Sequence, residues 1–119
     1  MLLTTLSACA HHPRKAPPPA PPPPPVVMTP EWQSANEALR RCLTSEAFML
    51  DNGVSDPSAL GVQVADACHV QLLELADVNA HRTHNPTAAW TLYLSTEAAA
   101  PALGEQSVVA LRSKALSTR

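Results

Sequence analysis

From Pro30 onward the apolar positions recur at steps of three and four. Trp32, Ala35, Leu39, Cys42, Leu43, Ala47 and Leu50 trace one face of a helix. Its start is marked by Thr29-Pro30-Glu31, which supplies a capping hydroxyl, a proline suited to the first helical position and a carboxylate at the positive end of the dipole. Glu37 and Arg41 make an i,i+4 pair on the outer face. Asp51-Asn52-Gly53 ends the helix, because Gly53 accepts a positive φ. A second pattern opens at Ser55-Asp56-Pro57, with Asp56 as the cap. It runs through Leu60, Val64, Cys68, Leu72, Leu75 and Val78 and ends between Asn79 and His84. Gly61 weakens this helix slightly and permits close approach to the first one.

Asn85-Pro86 repeats the cap-and-start signal. It predicts a third helix over 86–100 with Ala89, Trp90, Tyr93 and Leu94 toward the core. The stretch "WTLYLST" also alternates as a strand does, but the alanine-rich continuation and the lack of a partner strand favour helix. Pro101 interrupts. The stretch "GEQSVVALRSKALS" then predicts a last amphipathic helix with Val108, Leu111 and Val109 inward, fraying over 117–119. Two helices joined by a short loop form an antiparallel hairpin. The expected fold is all-α, a helical hairpin within a small three- to four-helix bundle.

The hairpin brings two thiols into register. Cys42 lies about nine residues before Asp51 and Cys68 about eleven after Pro57, depths of roughly 13.5 and 16.5 Å. In an oxidising compartment the two would form a disulfide. Closing the loop between them stabilises the fold by about 3.5 kcal/mol in the chain-entropy treatment. The other reading is a pair of buried, reduced core cysteines. A Cys–Cys metal site lacks the tight C-x-x-C spacing.

The segment before Pro30 has a different character. Leu6-Ser7-Ala8-Cys9 resembles the lipobox of bacterial lipoproteins. That resemblance implies acylation of Cys9, which becomes the mature first residue, and anchorage in a membrane through at least two acyl chains. Ala10 in the second mature position, where an Asp is missing, implies by the same resemblance outer-membrane sorting with the domain on the periplasmic side. Only 1–8 precede the cysteine, without the basic n-region of a secretory signal, so a start upstream of Met1 is expected. Positions 17–25 are proline except for Ala20. Such a run adopts extended polyproline II, reaching on the order of 60 Å between Cys9 and Pro30. It reads as a semi-rigid, unfolded stalk, with a ligand for an aromatic-lined groove as the rival reading. The expected division is therefore a truncated signal-like segment at 1–8, a lipidated cysteine and proline-rich linker at 9–29, and a helical domain at 30–119.

Composition narrows the function classes. The net charge of −2 and the absence of a basic patch give no sign of a nucleic-acid partner. No run of 18 apolar residues suggests a membrane span. With Gly53, Gly61 and Gly104 as the three glycines, a phosphate-cradling loop is not expected. His81 and His84, three apart, are the candidate metal ligands, and His69 is too distant in sequence to complete a set. Solvated histidines near a helix C-terminus explain both more simply. Asp66, Glu74 and Asp77 read as helix-surface charge rather than a paired-carboxylate site. No G-x-S-x-G is present. No catalytic residue is nominated, and no metal or cofactor is implied.

The hairpin with its tryptophan and two cysteines resembles small uncharacterised proteobacterial envelope proteins, and in architecture the secretin pilotins, which are small disulfide-bonded helical lipoproteins. These resemblances imply a non-enzymatic cell-envelope lipoprotein that serves as a protein-interaction or assembly accessory module. The alternative is a periplasmic helical module that binds a small ligand or a metal.

Overall fold

The computed structural model of the chain describes residues 13–21 and 28–118. Residues 13–21 are exposed and lie outside any helix or strand. Among the described residues there are five helices and no strand: α1 (Pro30–Leu50), α2 (Pro57–Ala67), α3 (His69–His81), α4 (Pro86–Ala98) and α5 (Ala100–Ser117).

Three of the helix starts follow one recipe, a polar cap and then a proline. Thr29 Oγ1 accepts from the Trp32 N–H at 3.2 Å. Asp56 accepts from the Ser58 N–H at 3.1 Å. Asn85 accepts from the Thr87 and Ala88 N–H groups at 3.0 and 3.2 Å. Each cap satisfies a backbone donor the helix leaves over, and the proline that follows has no donor to satisfy. Gly53 turns the chain between α1 and α2 with φ 74°. Asn52 steadies that turn by accepting from the Val54 and Ser55 N–H groups.

The remaining two boundaries are breaks within longer rods. Cys68 ends α2 and starts α3 with φ −101° and ψ 19°. Its N–H is shared between the Val64 and Ala65 carbonyls. The second expected helix is thus two helices, divided at the cysteine that is bonded to α1. Ala99 divides α4 from α5 in the same way. Pro101 was expected to interrupt until about Gly104. Instead it stands in the first turn of α5, where a missing N–H costs nothing.

The three rods run up, down and up. α1 lies against α2, α3 and α5, while α2 pairs chiefly with α5 and α3 with α4. The core combines Leu39, Leu43 and Ala47 of α1 with Leu60, Val64, Cys68, Leu72 and Leu75 of the middle rod and Ala100 and Val108 of α5. The predicted faces of the first two rods are therefore inward, except that Leu50 is exposed at the end of α1 and Trp32, Ala35, Cys42 and Val78 are only partly buried.

Three packing expectations are corrected. Gly61 lies against α5, not α1: a Cβ there would stand 2.5 Å from the Glu105 nitrogen, and one on Gly104 would strike the Gly61 carbonyl oxygen. Two glycines facing each other allow the backbones of α2 and α5 to touch. Trp90 and Leu94 point outward, Trp90 being 62 % exposed. The partly buried stripe of α4 is instead Ala89, Tyr93 and Thr96, because α4 rests mainly on α3. Val109 is also exposed, one residue past the fully buried Val108.

Candidate functional site

Cys42 and Cys68 form a disulfide, with Cα atoms 5.8 Å apart. Cys68 is fully buried and Cys42 partly so. The bond ties α1 to the middle of the second rod. Both thiols are consumed there and available to no other chemistry. Cys9 lies outside the described residues, as do His11 and His12.

Two polar linkages position the rods at their ends. At the end where α1 begins, Trp32 Nε1 donates to Asn79 Oδ1 at 2.9 Å, and Asn79 Nδ2 donates to Thr96 Oγ1 at 2.9 Å. Thr96 donates in turn to the Leu92 carbonyl. One asparagine thus joins α1, α3 and α4. At the other end Arg112 of α5 grips Asp51 through Nε and a terminal nitrogen, the latter at 2.8 Å, and also donates to the Ser55 carbonyl at 2.7 Å. The Arg112 guanidinium, with help from the Gly53 N–H, holds the Asp51 carboxyl below its ordinary value near 3.8, and burial opposes this. The Asp51 hydrogen bond in turn raises Arg112 above the usual guanidinium value.

The candidate histidines do not converge with other ligands. His81 Nδ1 donates to the Asp77 carbonyl at 2.8 Å and lies 3.5 Å from the Asp77 carboxylate. His84 is exposed in the loop before α4, and His69 is exposed at the start of α3. Among the described residues no group of three or more His, Cys, Asp or Glu side chains is placed to hold a metal ion. Asp66, Glu74 and Asp77 are all exposed, and no polar or charged side chain is buried among the described residues.

What the packing does create is a groove between the parallel helices α1 and α5. Its middle part, about 480 Å³, has Leu43, Leu103 and Leu111 at its floor and Asn36, Thr44 and Gln106 along its sides. Arg40 of α1 and Lys114 of α5 stand on opposite rims. The groove continues past Leu111 into a second part of about 450 Å³ that also touches Phe48, Ala115 and Leu116. Phe48 is 73 % exposed and Leu116 69 % exposed. Sequence reasoning did not find this site, because its walls come from the first and last helices.

The chain matches no protein-family model, no curated protein and no solved structure. No described helix is long and apolar enough to cross a membrane.

Proposed function

We propose that this protein is a non-enzymatic lipoprotein of the bacterial cell envelope, anchored through acylated Cys9, whose helical domain docks a protein partner along the α1–α5 groove. The observation that carries the docking role is the exposure of Phe48 and Leu116 around an open groove, in a domain small enough to need its apolar residues for a core. The anchoring role rests on the lipobox resemblance at Cys9. The disulfide agrees with it, since such bonds persist in oxidising compartments. On this reading the outer membrane holds the chain on its periplasmic side, and the proline-rich stalk holds the domain away from the bilayer.

Two experiments test the two halves separately. Radiolabelled palmitate should enter the wild-type chain and not the Cys9→Ser variant; equal labelling removes the anchor. A photo-crosslinking residue at Phe48 or Ala110, in intact envelopes, should trap one stoichiometric envelope protein that the same residue at Ala67 does not. Identical products from both faces, or none from the groove, reject the docking role.

A further inference from the structure

The groove proposed above as a docking surface also carries a charge signature. Arg40 and Lys114 both line its middle part, one from each helix, and no carboxylate lines that part. The neighbouring carboxylates are already engaged, Glu37 by Arg41 at 2.6 Å and Asp51 by Arg112. Neither the Arg40 nor the Lys114 side chain has a hydrogen-bond or ion-pair partner among the described residues. The chain as a whole carries a net charge of −2, so this seam has the opposite sign to the rest of the molecule. Such a rim attracts negative charge and repels positive charge.

Backbone chemistry limits the shape of the occupant. The main-chain groups along both walls are spent within α1 and α5, so an extended segment would find no partners for its own N–H and C=O groups. A helix brings its hydrogen bonds with it. The walls run from Asn36 to Phe48 on α1, about twelve residues or roughly 18 Å, which is the length of three to four helical turns. A bilayer surface does not enter a cleft between two helical ridges. A second copy of this chain offers acidic residues on its middle rod, Asp66 and Glu74, but the break at Cys68 divides that stripe between two helices.

We infer that the α1–α5 groove binds an acidic amphipathic helix of a partner protein, its apolar face on Leu103, Leu111 and Phe48 and its carboxylates against Arg40 and Lys114. This rests on the docking reading and specifies the partner's chemistry.

The test uses the full, oxidised chain, labelled with nitrogen-15, and a designed twelve-residue helical peptide with leucines on one face and glutamates flanking them. Controls are the same peptide with lysine for glutamate and vesicles containing phosphatidylglycerol. The acidic peptide should saturably shift amides within α1 and α5. Its affinity should fall at least about tenfold in R40E/K114E, and severalfold in R40Q/K114Q. Both side chains are exposed, so the variants should keep the wild-type melting temperature. Equal binding of acidic and basic peptides, shifts confined to other helices, or no binding overturns the inference. So does binding to vesicles but not peptide, or self-association through the groove. Groove crosslinks in envelopes that persist in R40E/K114E would leave the docking role standing while removing the acidic partner.

Discussion

At the scale of single residues, two side chains carry long-range order that no apolar pattern announces. Asn79 is one. Tryptophan N–H groups seek a partner when their rings are packed, and Trp32 finds its partner 47 positions away. Replacing Asn79 with alanine removes bonds to two other helices and leaves partly buried donors and acceptors unmet. The expected cost is about 1–3 kcal/mol, read as a lower urea midpoint with an unchanged slope. Asp51 is the other, and its contribution depends on pH. Its carboxyl is held below 3.8, mainly by Arg112, so the folded state gives up this charge less readily than the unfolded state. The stabilisation is complete above the unfolded value and disappears as pH falls through the depressed folded value. Asp51→Asn should therefore melt lower than wild type at about pH 7, and the gap should close by about pH 2. A gap that stays constant across that range would show that the carboxylate charge is not what binds Arg112 to the loop.

At the scale of elements, the disulfide and the glycine crossing do different work. The disulfide acts on the unfolded chain, and its loss in Cys42→Ala/Cys68→Ala should cost about 3 kcal/mol, or on the order of 15 °C in melting temperature. The glycine crossing acts on the folded chain. Alanine is a better helix former than glycine by about 1 kcal/mol, so propensity alone favours Gly104→Ala. The backbone of Gly61 leaves no room for that methyl group, and overpacking should reverse the sign to a net loss of about 2 kcal/mol. Thermal denaturation decides between them: a stabilised Gly104→Ala would mean that α2 and α5 are further apart than described. Much of this level could be read from the chain beforehand. The caps at Thr29, Asp56 and Asn85 and the pairing of Cys42 with Cys68 follow from local chemistry and from rise per residue. The face of α4 did not follow, because Glu97 is its one charged residue and little marks which side meets water. The partner of Gly61 did not follow either, although Gly61-x-x-x-Ala65 and Ala100-x-x-x-Gly104 carry the small-residue spacing of a close crossing. The groove was out of reach for a further reason. Periodicity identifies an inward face helix by helix, but it does not say that the first and last helices lie side by side.

At the scale of the whole molecule, the two ends of the bundle are unequal. α1 begins beside Asn79, so the chain enters the bundle at the end joined by Trp32, Asn79 and Thr96. Phe48 and Leu116 stand at the other end, roughly 27 Å along α1 from Pro30 at the helical rise. With Cys9 as the anchor proposed above, these two exposed side chains stand at the end of α1 away from it, over a buried core. This separates surface from core in a way that can be measured. Leu43 is buried, and Leu43→Ala should cost about 2–5 kcal/mol through the lost contacts and the cavity left behind. Phe48→Ser and Leu116→Ser remove side chains that mostly face water, and should shift stability by no more than about 0.5 kcal/mol each. If the far end is a docking surface, those two serine variants should lose the groove crosslink while keeping the wild-type denaturation curve. Serine variants that unfold with the Leu43 variant would instead make Phe48 and Leu116 part of the core. Serine variants that stay folded and still crosslink would move the contact elsewhere on the molecule.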